Sequence, residues 1–203
     1  MSKRARAGEK KRKGGKGFSR NEKIVGLVIL VIIVWAVYSA SQPFSPPATT
    51  ATTQTLAPQT GGAPDFSLPV VDQTGLTGQS VSLSQFRGKV VLLEFMTPNC
   101  PHCQTMAPAL ENLYRQYSRD KVVFLTVVGS WGGQSANDAA RFIRDYRSSW
   151  TYVYDSSGTT FDMYGVTGTP TFFVIAKNGE IAARYIGETS ADTLARDIDR
   201  LSS

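Results

Sequence analysis

The chain encodes an α/β domain with a mixed central sheet and helices on both faces, preceded by a basic tail, an apolar segment and a linker. Three observations predict this. Two largely apolar runs, "KVVLLEFM" and "KVVFLTVV", have the length and β-branched content of strands buried on both faces. Between and after them stand stretches with helical spacing of apolar residues. Near the end, "TPTFFVIA" and "IAARYIG" flank "KNGE", the pattern of a strand, a turn and a second strand.

Taken in order from Asp65, "DFSLPVV" and "SVSL" predict two short strands, with "QTGLTGQ" as the turn between them. "KVVLLEFM" follows as the first core strand. "CPHCQTMAPALENLYRQYSR" predicts a helix with Met106, Leu110, Leu113 and Tyr117 on one side. Pro101 falls in its first turn, where a missing N–H is harmless, and Pro108 is expected to kink it. "KVVFLTVV" is the second core strand. "SANDAARFIRDYR" is a helix with Ser135 as its cap. "WTYVYD" is a strand, "TTFDMYG" a short helix, and "SADTLARDIDRL" a closing amphipathic helix after the hairpin. The expected order is ββ–β–α–β–α–β–α–β–β–α.

The 203 residues carry a net charge of +6, but unevenly. Residues 1–23 hold ten of the 22 Lys/Arg and two of the 16 Asp/Glu, so the remainder, with 12 basic and 14 acidic residues, is mildly acidic. Directly after this tail, Ile24 to Ala40 is uncharged and almost wholly apolar. As a helix its 17 residues would extend about 25 Å, near the lower limit for crossing a bilayer core. It reads as an uncleaved transmembrane anchor, with the apolar region of a signal peptide as the alternative. The first basic residue beyond it is Arg87, so the positive-inside rule puts the tail in the cytoplasm and the C-terminal domain outside the cell membrane. The tail is assigned to topology and contact with membrane lipids; nucleic acid is not an expected partner. Ser41 to Pro64, uncharged and rich in Thr, Pro and Ala, cannot bury enough surface to fold and reads as a disordered linker. The expected organisation is therefore tail 1–23, anchor 24–40, linker 41–64 and domain 65–203.

Both cysteines and the single histidine lie in "MTPNCPHCQTMAP", where a core strand gives way to a helix. A helix N-terminus presents unpaired N–H groups and a partial positive charge, and both stabilise a thiolate at Cys100. Cys103, one turn on, is close enough to close a disulfide with it. A thiolate that attacks a substrate disulfide forms a mixed disulfide, and a second thiol nearby resolves it. Two alternatives use the same residues. A purely structural disulfide would close so short a loop that it constrains the unfolded chain little. A metal site needs about four ligands, and Cys100, His102 and Cys103 are the only Cys/His residues in the chain. His102 is expected to add a donor or positive charge beside the thiolate. No acidic residue occurs from Phe95 to Leu110, so no local negative charge is expected to oppose it.

From Asp65 to Leu201 the chain resembles the thioredoxin superfamily, and more closely its membrane-tethered, TlpA/ResA-like (redoxin) thiol–disulfide oxidoreductases. The matching segments are "APDFSLPVVDQTG…VSLSQFRGKVVLLEF", the "CPHC" motif and "YGVTGTPTFFVIAKNGEIAARYIG". The resemblance implies a thioredoxin-like fold with no cofactor and no metal. It implies catalysis by Cys100 and Cys103, with Pro101 and His102 as the intervening dipeptide. It also implies a cis-proline at Pro170, next to Thr169, whose backbone would pair with a substrate strand. Glu94 matches a family carboxylate placed under the second cysteine. A carboxyl within "VVLLEFM" should be buried, with a raised pKa and a proton to exchange with Cys103; the alternative is a solvent-facing Glu paired with Lys89 or Arg87.

The expected partners are proteins with thiols or disulfides, and a membrane redox partner. The sequence departs from the family in Met96 and Asn99, which stand where Trp is usual, and "CPHC" is more typical of oxidising members. The expected direction leans to oxidant or isomerase. "GSWGGQ", Gly129 to Gln134, reads as a mobile loop on the active face. A peroxidase of the same superfamily shares "Thr-x-x-Cys", met here by Thr97 and Cys100, but needs a proline where this chain has Leu93. A tethered metal carrier or assembly module is the non-enzymatic alternative.

Overall fold

The computed structural model describes residues 29–35 and 62–203. Residues 29–35 form a helix, α1, with exposed apolar side chains. Among the described residues no helix is long and apolar enough to cross a membrane. The expected tail, most of the expected anchor and nearly all of the expected linker lie outside the described residues. The C-terminal unit is described by itself from here on.

That unit contains β1 (Ser67–Asp72), β2 (Gly75–Ser82), β3 (Val90–Met96), α2 (Pro101–Tyr114), β4 (Val122–Gly129), α3 (Ala136–Tyr146), β5 (Thr151–Asp155), α4 (Thr159–Met163), β6 (Thr171–Ile175), β7 (Ile181–Ile186) and α5 (Ala191–Ser202). The seven strands form one sheet in the order β2-β1-β5-β4-β3-β6-β7. The pairs β3/β4 and β4/β5 are parallel; β1/β2, β1/β5, β3/β6 and β6/β7 are antiparallel. The element order is the one the sequence predicts, with a turn of 3-10 helix at Leu83–Phe86 added.

Three local details differ from the expectation. The turn between β1 and β2 is only Gln73 and Thr74, because Asp72 Oδ1 accepts from both the Thr74 N–H (2.7 Å) and its hydroxyl (2.6 Å). Gly75 then takes a φ of +127°, a conformation open only to glycine, and β2 begins at once. Secondly, α2 spans Pro101 to Tyr114, with Pro108 inside it, and ends five residues early. Beyond Tyr114 the hydrogen bonds tighten to a three-residue repeat, Gln116 N–H to the Leu113 carbonyl and Tyr117 N–H to the Tyr114 carbonyl. Thirdly, the folded contacts begin before Asp65: Gly62 bridges Glu180, and the buried Ala63 donates its N–H to the Gly179 carbonyl.

Side chains alternate across the sheet, so each strand feeds two cores. Leu92, Glu94 and Met96 of β3 and Phe124, Thr126 and Val128 of β4 face one side, where residues of α2, α3 and α5 close over them. Leu93 and Phe95 face the other, against Phe66, Phe161 of α4 and Tyr164. All seven residues of β3 are buried. Burial at this scale, about 25 cal/mol per Å² of apolar surface, fixes the strand in its register. The parallel registers of β3 with β4 and of β4 with β5 set Glu94 opposite Thr126, and Thr126 opposite Tyr152, on the face that α2 covers.

Candidate active site

β3 ends at Met96, and a turn closed by the Cys100 N–H on the Thr97 carbonyl (3.0 Å) delivers the chain to α2. Cys100 is the N-cap and Pro101 the first helical residue, so the ring removes an N–H that would otherwise be orphaned. The Cys100 sulfur accepts from the Cys103 N–H at 3.4 Å. Both cysteines are free thiols; Cys100 is half-buried and Cys103 is only 1% exposed.

Burial of Cys100 opposes ionisation, but hydrogen bonds outweigh it. Contacts with Thr169 and Cys103, and the backbone N–H groups of Cys103 and His102, hold its thiol below the ordinary value. Burial pushes Cys103 the other way, well above it, reinforced by the nearby charge of Glu94 and by the hydrogen bond to Cys100. The two thiols are therefore split: one is ready to ionise and the other keeps its proton.

Glu94 is 5% exposed and lies on the covered face of β3. Burial pushes its pKa up to about 7, against the opposing pull of the Thr126 hydroxyl, which donates to Oε2 at 2.8 Å. The solvent-facing alternative does not apply: Lys89 donates to the Arg119 carbonyl, and Arg87 to the Asn178 carbonyl. Thr126 in turn accepts from Trp150 Nε1 at 2.8 Å.

The peptide between Thr169 and Pro170 is cis. Thr169 is half-buried and its carbonyl accepts from the Cys100 thiol at 3.2 Å. Pro170 is buried, and its own carbonyl is bound by the Gly187 N–H at 2.7 Å. The structure thus brings Cys100, Cys103, Glu94, Thr169 and Pro170 to one end of the parallel strands.

His102 is paired with an acid from a distant loop. Its Nδ1 lies 2.7 Å from Glu188 Oε1, with the two side chains 66% and 46% exposed. The sequence around the cysteines holds no acid, but the loop after β7 brings one. A carboxylate therefore partners the imidazole, and what His102 gives Cys100 directly is its backbone N–H. The 129–134 segment is tied down as well. Gln134 Oε1 accepts from the Asn99 N–H (3.3 Å), its Nε2 donates to the Trp131 carbonyl (3.0 Å), and its own carbonyl accepts from the Tyr154 hydroxyl (2.8 Å). Glu188, Gln134, Thr126 and Trp150 lie too far along the chain from the cysteines for sequence patterning to connect them to the site. Among the described residues no group of three or more His, Cys, Asp or Glu is placed to hold a metal ion.

A thioredoxin-like sheet with a split dithiol at the first turn of a helix defines a thiol–disulfide oxidoreductase. The chain belongs to the AhpC/TSA family, whose model matches residues 61–184. Thiol-disulfide oxidoreductase ResA of Oceanobacillus iheyensis is 31% identical over 132 residues, which is 65% of this chain and 67% of that protein. A solved structure assigned as thiol:disulfide interchange protein DsbE of Chlorobium tepidum is 29% identical, with a TM-score of 0.61 over 70% of this chain and 96% of that one. The pneumococcal exposed lipoprotein thioredoxin of Streptococcus pneumoniae is 27% identical, with a TM-score of 0.58 over 68% of this chain and 100% of that one.

Glu94 gives a pH dependence with a definite sign. The folded protein holds the carboxyl proton to about pH 7, whereas an unfolded glutamate releases it near 4.5. The neutral form is thus favoured by folding. Stability is full below the unfolded value and falls as pH rises through about 7, by roughly 3 kcal/mol in all. In Glu94→Gln most of that decline is expected to vanish in denaturant melts between pH 4 and 9. A variant with the full wild-type slope would show that Glu94 is already ionised.

Proposed function

We propose that this chain is a membrane-tethered thiol–disulfide oxidoreductase acting on protein cysteines outside the cytoplasm. The observation that carries the chemistry is the split pair: Cys100 held by N–H groups at the start of α2, Cys103 buried behind it beside Glu94. The apolar stretch from Ile24 to Ala40 behind a basic tail supports the tether, as does the relative named an exposed lipoprotein.

In the reducing direction the Cys100 thiolate attacks a substrate disulfide. One sulfur bonds to Cys100 and the other leaves as a thiolate, which takes a proton. Once ionised, Cys100 no longer donates to the Thr169 carbonyl, and that carbonyl becomes free to accept an N–H from an extended substrate segment beside Pro170. Cys103 then attacks Cys100, its proton passes to the Glu94 carboxylate, and the second substrate sulfur leaves. The product is a Cys100–Cys103 disulfide and a substrate dithiol. Oxidation of substrate is the same sequence reversed, with Glu94 returning the proton. Each turnover leaves the pair in the opposite redox state, so a redox partner at the membrane is needed to reset it.

The direction we assign is oxidant or isomerase. The stabilised Cys100 thiolate supports it, since each 1.4 kcal/mol in favour of the reduced form raises the potential by about 30 mV. Glu188 moderates the effect by partnering His102.

Three results are expected. Cys100→Ala abolishes disulfide exchange on a model protein, while Cys103→Ser accumulates the mixed disulfide, visible on a non-reducing gel; exchange by Cys100→Ala at the wild-type rate would refute the assignment. Protease added to intact cells removes the 62–203 domain and spares the tail; recovery of the whole chain as a soluble cytoplasmic protein would refute the tether. Equilibration with glutathione at pH 6 shows opposite shifts: His102→Ala lowers the potential and Glu188→Gln raises it, each by roughly 5–20 mV because the pair is exposed and screened. A wild-type potential as low as that of thioredoxin would reverse the assigned direction.

A further inference from the structure

The buried carboxyl that serves Cys103 is held by two short hydrogen bonds in series, and when it is ionised their order is set. An indole N–H donates and never accepts, so Trp150 Nε1, 2.8 Å from Thr126 Oγ1, occupies one lone pair of the hydroxyl. A hydroxyl has a single proton. With its oxygen already accepting from Trp150, that proton points along the other short contact, 2.8 Å to Glu94 Oε2. The gap between Leu92, Glu94, Leu110, Phe124, Thr126 and Trp150 is too small to admit a water. Trp150 and Thr126 are both buried. The sheet register sets Thr126 directly opposite Glu94 on the neighbouring parallel strand.

We propose that Thr126, oriented by Trp150, is a positioning residue for thiol–disulfide exchange: it commits one oxygen of Glu94 to accepting a hydrogen bond and leaves the other to exchange a proton with Cys103. The proposal rests on Glu94 being the proton acceptor for Cys103, as assigned above. In the resolving step Cys103 S–H loses its proton to the free oxygen of the Glu94 carboxylate as its sulfur bonds to Cys100. The Cys100–substrate S–S bond breaks and the substrate sulfur leaves with the electron pair. The Thr126 hydrogen bond is stronger to the carboxylate than to the carboxylic acid, so it keeps Glu94 able to accept near neutral pH. The titratable groups acting on this carboxyl are Cys103 from α2 and Tyr152 from β5, whose own titration feels its charge. From β6 the residue opposite is Phe172, and the buried residues of α5 are Leu194 and Ile198, none of which titrates.

The test uses the reduced full chain mixed with excess Ellman's reagent. The first coloured thiolate marks attack by Cys100; the second marks resolution by Cys103, followed from pH 5 to 9. Threonine-to-valine keeps the shape and removes the hydroxyl. In Thr126→Val the midpoint of the second phase is expected to rise by roughly one pH unit, the worth of one charge-assisted hydrogen bond. That makes the phase about fivefold slower at pH 7, with the limiting rate at high pH unchanged. Thr126→Ser restores the wild-type midpoint, and Trp150→Phe moves it in the same direction by less. Glu94→Gln separates the two readings. If it removes the midpoint while Thr126→Val and Trp150→Phe titrate as wild type, the positioning role is overturned and the role of Glu94 stands. If Glu94→Gln itself titrates as wild type, the Glu94 assignment falls and this inference falls with it. Should Thr126→Val not fold, Trp150→Phe decides, with carboxyl carbon NMR reading the Glu94 titration directly: a Glu94 midpoint unchanged from wild type overturns the proposal.

Discussion

β3 is buried at every one of its seven positions, and β4 and β6 flank it. That confinement carries the rest of the site. It holds one carboxyl, Glu94, away from water, and it ends at Met96 beneath the first turn of α2. In a low-dielectric face with no cation paired to it, a carboxyl cannot ionise as it does in water, which is why Glu94 titrates near 7. The same burial keeps Cys103 protonated. Four residues of turn then lift the chain so that Cys100, the cap of α2, reaches the surface. One packing constraint therefore produces two thiols of opposite character only three residues apart.

The split is what makes the pair chemically useful. A thiolate at Cys100 is a nucleophile and also a good leaving group, since both properties follow from its stabilisation by N–H groups. In the proposed exchange Cys103 stays silent until a mixed disulfide has formed, and then loses its proton. A buried acceptor with a pKa near neutrality suits that task better than a solvated carboxylate, whose affinity for a proton is too low. The polar rung Glu94–Thr126, completed by Trp150, places this carboxyl within an otherwise apolar core. The interactions on the exposed side, such as His102 with Glu188, are open to solvent and screened by it.

Much of this was legible in the sequence, and for identifiable reasons. Apolar runs and helical periodicity are local signals, so the order of elements could be read. The spacing of Cys100 and Cys103 at a strand-to-helix junction is local too, and a lone Glu inside "VVLLEFM" announces its own burial. The resemblance of "GVTGTPTFF" to a family segment placed Pro170 beside the cysteines. What could not be read were the contacts made by sheet register and loop return. Glu188 reaches His102 across 86 residues, Thr126 reaches Glu94 across 32, and Gln134 reaches Asn99 across 35. The acid-free stretch from Phe95 to Leu110 is not an acid-free surface, since Glu188 pairs with His102, but no acid is among the groups that shift Cys100.

The opposite character of the two thiols is tested most directly by alkylation kinetics. The reduced protein would be treated at pH 7 with limiting iodoacetamide and the modified cysteine identified by mass spectrometry. The account predicts that Cys100 alone is modified in the folded protein, and that Cys103 reacts only once denaturant is added. Modification of both at comparable rates, or of Cys103 first, would contradict it.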